Sequence, residues 1–121
     1  MLLNLSNHPS ANWPPEQLIA VQQAYGTIQD MPFPAVPAKA DLDEVRLLAE
    51  KHCAMVRQIA AEEASLTVHL MGEMTFTFIM ANALCAMGIP CMASCSERIV
   101  LEESDGRKVS QFRFVRFRPY Y

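Results

Sequence analysis

A three-layer α/β sandwich is the fold this sequence predicts, with a mostly parallel sheet and a C-terminal antiparallel hairpin. Residues 1–121 form a single domain. Three observations carry this. From Leu2 to Ser94, short strand-like apolar runs alternate with stretches of helical period, the pattern of a parallel sheet with right-handed crossovers. The stretch TVHLMGEMTFTFIMANALCAMGIPCMASCSER, Thr67 to Arg98, reads as a βαβ unit whose strand-to-helix turn is polar. Two alternating runs then flank Asp105-Gly106, the strongest short hairpin signal in the chain.

The elements follow in order. Leu2 to Ser6 is a buried first strand, and Asn7-His8-Pro9-Ser10 a polar turn. Pro14 or Pro15 opens a helix to Tyr25, because a first-turn position has no use for the missing N–H; Gly26 stops it. Thr27 to Met31 is a weaker strand, interrupted by Gln29 and Asp30. Prolines at 32, 34 and 37 impose a stiff extended loop. Asp41, with Glu44 three residues on, caps a long helix reaching about Ala64. Its stripe of Val45, Leu48, Ala49, His52, Cys53, Val56 and Ile59 faces the sheet. Leu66 to Leu70 is the third strand, Met74 to Ala86 an apolar helix, Gly88 its stop, and Ile89 to Ser94 a fourth strand. Arg98 to Glu103 and Val109 to Arg118 are the hairpin arms. In the second arm the aromatic phase slips: Phe112 and Phe114 share one face, whereas Phe117 falls on the other with Val115. A bulge near Val115 repairs this. The four parallel strands are expected in the order 2-1-3-4.

Composition narrows the class. Hydrophobic residues make up 51% and charged residues 19%, which argues against disorder. No apolar run approaches the roughly 20 residues that cross a bilayer, and MLLNLSNHP reads as a strand rather than a signal peptide. A cytoplasmic protein is the expectation. The four cysteines fit that, since Cys91-x3-Cys95 lacks the spacing of a zinc knuckle and no histidine pair accompanies it. They read as free buried thiols, with neither metal nor cofactor implied. The net charge of −3 argues against a duplex nucleic-acid binder, although Arg107, Arg113, Arg116 and Arg118 gather near the C-terminus.

Ligands of open parallel sheets bind outside the carboxyl ends of the strands. That places function in two facing loops, Ser6 to Ser10 and Met71 to Thr75. There Ser6, Asn7, Gly72, Glu73 and Thr75 are the candidate ligand-binding residues. Gly72 permits close backbone approach, in a turn expected to be exposed and to tolerate Gly72→Val in the fold. Thr75 can cap the helix or bond a phosphate; Glu73 can accept from a ribose hydroxyl or an amine. His8 is the candidate catalytic residue, because it sits in a turn and titrates near neutrality. His52 reads as packed and His69 as a satisfied interior or interface group. Ser94, Ser96, Glu97 and Arg98 follow the fourth strand, and Arg98 is a candidate anion ligand. Neither a dinucleotide fingerprint, a Walker loop nor a nucleophile elbow is present.

The segments LNLSNHPS, HLMGEMTFTF, SERIV and FRFVRFRPY resemble a small bacterial family associated with CRISPR loci, and the layout is similar to CRISPR-associated Rossmann-fold (CARF) domains. The resemblance implies a Rossmann-like dimer whose pocket takes a cyclic oligoadenylate, and some minimal relatives, the ring nucleases, cleave that ligand without metal. It puts Ser6, Asn7 and His8 in one pocket loop and Gly72, Glu73 and Thr75 in the other. Glu73 departs from the pattern, since CARF loops often carry a basic residue there.

The leading expectation is therefore a homodimer that binds a cyclic oligonucleotide or other small anionic nucleotide, with His8 as base for 2′-hydroxyl attack and Thr75, Gly72 and Arg98 on the phosphate. The helix Met74 to Ala86 is apolar around nearly its whole circumference, which calls for a partner. The rival is a non-enzymatic interaction module docking through the C-terminal Arg/Phe hairpin. A third reading is a small-molecule enzyme with Glu73 as base. A positive groove between two subunits favours the nucleotide; a neutral groove beside an exposed aromatic hairpin favours the docking module.

Overall fold

In the computed structural model, which describes residues 1–121, the chain folds as the alternation predicts. The strands are β1 (Leu2–Ser6), β2 (Ile28–Pro32), β3 (Thr67–Met71), β4 (Cys91–Glu102) and β5 (Lys108–Pro119). The main helices are α1 (Pro15–Tyr25), α2 (Leu42–Glu62) and α3 (Met74–Ala86). The sheet runs β2-β1-β3-β4-β5. The first four strands are mutually parallel and β5 is antiparallel to β4.

The helix ends obey local chemistry. Pro15 occupies the first turn of α1, and Gly26 ends it with φ of 80°, a conformation that suits glycine. The Asp41 carboxylate accepts from Glu44 N–H at 2.9 Å and caps α2.

β1 is buried along its whole length because it lies at the centre with helices on both faces. Side chains alternate between those faces. Leu3, Leu5, Val68, Leu70 and Cys91 join α2 and α3 in the larger core, with Phe76, Met80 and Leu84 as the buried stripe of α3. Leu2 and Met92 point the other way, toward Trp13 and Val21 of the α1 layer, with Phe117 packed against them. One helix alone covers that second face, which leaves room beside it.

The sequence differs from the structure at one junction. Ile89 to Ser94 and Arg98 to Glu103 are not two strands but parts of one twelve-residue strand, β4. Nothing between Ser94 and Arg98 breaks an extended chain: there is no glycine or proline. β3 pairs with β4 only at Val68↔Cys91 and His69↔Met92, whereas β5 pairs with it from Met92 to Glu102. The outer half of the hairpin therefore projects beyond the sheet as a two-stranded ribbon. The expected bulge is present: Cys95 pairs Arg116 and Ser96 pairs Phe114, leaving Val115 unpaired. It returns Phe117 to the face of Phe112 and Phe114.

No helix is long and apolar enough to cross a membrane.

Candidate functional site

Four polar residues on adjacent strands meet in a row on the α1 face. Asp30, Asn4 and His69 stand at matched register positions on β2, β1 and β3. Ser94 lies one pleat beyond Met92, the register partner of His69 on β4. Asn4 and His69 are each 1% exposed, so their polar atoms must find partners inside the protein.

They do, in one direction. Asn4 Nδ2 donates to Asp30 Oδ1 at 2.8 Å and to the His8 carbonyl at 2.9 Å. That fixes Asn4 Oδ1 as the acceptor facing His69 Nδ1 at 2.9 Å, so Nδ1 carries the ring proton. His69 Nε2 is left as an acceptor, 2.6 Å from Ser94 Oγ, which donates its proton there. Ser94 Oγ in turn accepts from Gln17 Nε2 at 2.9 Å. The Ser6 hydroxyl supplies a second donor to Asn4 Oδ1 at 2.7 Å. Each bond polarises the next. Burial lowers the His69 pKa to about 4, with the charge of nearby His8 a smaller contribution, so the ring is neutral at ordinary pH. Trp13 sits edge-on to it, ring centres 4.8 Å apart.

The row opens into a cavity of about 640 Å³. His69 and Ser94 form its inner wall, Trp13, Phe112 and Phe114 its aromatic sides, and Asn7, Asn12 and Gln17 supply amides. No arginine or lysine lines it. Its place at the carboxyl ends of β1 and β3 is where open parallel sheets bind ligands.

The two predicted loops do meet: Asn7 N–H donates to the Met71 carbonyl at 3.3 Å. Ser6 is buried in the polar row, and Asn7 and His8 are exposed on the cavity rim. The His8 carbonyl is the anchor of its turn, accepting from Asn4 and from Trp13 Nε1 at 2.9 Å. Ser6, Asn7 and Glu73 share a separate shallow recess with Pro32 and Phe33.

The N-terminus of α3 is already filled. Glu73 places its carboxylate there, accepting from Thr75 N–H at 3.0 Å, Phe76 N–H at 2.8 Å and the Thr75 hydroxyl at 2.8 Å. These bonds hold the Glu73 carboxyl below its usual pKa. The glutamate that departs from the CARF pattern thus acts as the helix cap. Gly72 is corrected on one point. A Cβ there would clash with Phe33 Cζ, so the ring or the turn has to shift, the small residue serves packing, and Gly72→Val is expected to disturb the fold. Arg98 lies on the projecting ribbon with Nε and Nη2 both donating to Ser110 Oγ, at 3.1 and 2.9 Å. It lines neither the cavity nor the recess.

Asn4, Trp13, Gln17 and Asp30 were not singled out from the sequence as site residues. A signal was there: Asn4 and His69 stand at the central positions of the mainly apolar strands LLNLS and TVHLM, each between two apolar residues, and a buried polar group needs a partner.

A family model described as the uncharacterized protein MJ1673 family matches residues 1–118. The chain belongs to this family. No curated protein and no solved structure matches it. Within the MJ1673 family member described here, the site rests on the geometry above.

Proposed function

We propose that the protein binds a nucleotide in the cavity beside α1, with a cyclic oligoadenylate as the ligand class. The observation that carries this is the lining: Trp13, Phe112 and Phe114 beside Asn7, Asn12 and Gln17. Aromatic rings stack on bases, and carboxamides complement the N6/N7 edge of adenine. The resemblance to CARF domains points to the same ligand class. His8 on the rim is the base in this reading, deprotonating a ribose 2′-hydroxyl for in-line attack.

Two further parts belong to the proposal. A homodimer is supported by the outward face of α3, where Met74 and Phe78 are 84% and 69% exposed. Thr77 Oγ1, buried without a hydrogen-bond partner, lies in the apolar groove these residues form with Tyr120. A cytoplasmic location is supported by four free cysteines.

Calorimetry with cyclic tetra-adenylate and with AMP tests the reading. Binding that weakens at least tenfold in Trp13→Ala and Asn12→Ala is expected. Silence of the wild type at millimolar ligand overturns it. One observation favours the docking module instead: the cavity carries no cationic side chain, while Phe112 is 74% exposed on the adjoining ribbon. Under that reading the hairpin is the interface: Phe112→Ser abolishes partner capture, and the wild type binds no nucleotide.

A further inference from the structure

The Ser94–His69–Asn4 row has the parts of an activated nucleophile. A reactive serine needs a base within hydrogen-bond reach of its hydroxyl, a group fixing the tautomer of that base, and a donor near the developing oxyanion. His69 Nε2 stands 2.6 Å from Ser94 Oγ and accepts a hydrogen bond from it. Asn4 Oδ1 accepts from Nδ1 at 2.9 Å and holds the ring in the productive tautomer. Asp30 accepts from the same carboxamide at 2.8 Å, so a carboxylate charge stands one bond behind the imidazole. Gln17 Nε2 is 2.9 Å from Ser94 Oγ. Ser94 is half-buried and lines the cavity, so its hydroxyl is reachable.

The lining also selects the electrophile. At Ser94 on the inner wall no arginine or lysine stands ready to compensate a phosphate or carboxylate at the reacting position. A neutral carbonyl carries no such cost, and Trp13, Phe112 and Phe114 suit a flat apolar group beside it.

We propose that Ser94 is a catalytic nucleophile and that the cavity hydrolyses small uncharged esters with an aromatic or planar portion. Ser94 Oγ bonds to the carbonyl carbon as its proton passes to His69 Nε2. The carbonyl π pair moves onto oxygen, where Gln17 Nε2–H, released from the serine, donates to it. Collapse of this intermediate breaks the carbon–alkoxide bond, and the leaving alcohol takes the proton from Nε2, leaving acyl-Ser94. Water then attacks the acyl carbon while giving its proton to Nε2. The second intermediate expels Ser94 Oγ, which recovers that proton, and the carboxylic acid departs. One ester and one water become one acid and one alcohol. Asn4 acts through His69 and is a positioning residue. The inference goes beyond the nucleotide reading and does not depend on it.

Phenylmethylsulfonyl fluoride and p-nitrophenyl butyrate test it on the full-length protein. Sulfonylation of wild type is expected on the peptide that carries Ser94, with loss of p-nitrophenyl butyrate turnover in proportion. Ser94→Ala removes both signals. His69→Gln slows turnover at least a hundredfold, in the range general-base catalysis contributes. Asn4→Ser lowers kcat per sulfonylatable site and shifts the pH profile of kcat, neither of which a mere loss of folded protein would do. Ser104→Ala at the hairpin tip keeps full labelling. Folded wild type that leaves Ser94 unlabelled, or that is labelled elsewhere with turnover surviving in Ser94→Ala, overturns the proposal. Neither result bears on calorimetry with cyclic tetra-adenylate, so the two readings fail separately.

Discussion

Asn4 concentrates more of the local energetics than its size suggests. Its carboxamide joins Asp30, the His8 carbonyl, Ser6 and His69, all within 2.9 Å. Asn4→Ala leaves the Nδ1–H of His69 without a partner, while the His8 carbonyl keeps Trp13 Nε1 as a donor. A loss of about 1–3 kcal/mol in urea unfolding is expected, the usual cost of a buried group left unpaired. His69 makes stability depend on pH. Its pKa falls from 6.5 to about 4 on folding, through burial first and the His8 charge second. Between those values the unfolded chain binds a proton that the native ring refuses, so stability falls as pH drops through that window and levels off below about 4. The full loss is about 3 kcal/mol, at 1.36 kcal/mol per pKa unit. Wild type and His69→Gln, unfolded in urea across pH 4 to 7, should differ by that slope. Parallel curves would mean that the ring is solvated.

At the scale of elements, the turn between β3 and α3 is set by packing and capping together. Phe33, from the proline loop after β2, lies edge-on to Phe76 with ring centres 5.1 Å apart, and Gly72 makes room for it. Gly72→Val should destabilise by about 1–3 kcal/mol, the usual cost of overpacking. Adding Phe33→Ala should recover part of the Gly72→Val loss, a coupling readable in a double-mutant cycle. Additive effects would show that the two residues do not touch. Glu73→Ala removes the acceptor for two α3 amides, and a loss of about 1 kcal/mol is expected from thermal unfolding. Glu73→Asp, which still caps, should lose less.

For the whole molecule the unbalanced feature is the projecting ribbon. Beyond Cys95 the hairpin has no third strand or covering helix, yet Val100, Leu101, Phe112 and Val115 are exposed on it. An isolated two-stranded ribbon is marginal in water. If the ribbon joins the α3 face in a dimer interface, amides from Ile99 to Val109 should exchange slowly at high protein concentration and rapidly on dilution. Sedimentation velocity should show the matching shift. Fast exchange at every concentration, with a monomer at tens of micromolar, would count against the dimer.

Local signals carried far along this chain. Period, caps and punctuation foretold the three helices and the hairpin at Asp105-Gly106, because each depends on neighbours within a few residues, while the parallel order β2-β1-β3-β4 followed from the alternation of strands and helices with right-handed crossovers. The bulge at Val115 was readable too, as a phase slip among Phe112, Phe114 and Phe117. The sequence also led to the meeting of the loops after β1 and β3, since topology alone brings those strand ends together. It did not reveal that Glu73 fills its own helix terminus, or that Gly72 yields to Phe33. Nor did it reveal the row Asp30–Asn4–His69–Ser94, whose members come from four strands. Register between strands distant in sequence is decided by how the whole sheet packs, and only that register brings these side chains within hydrogen-bond reach.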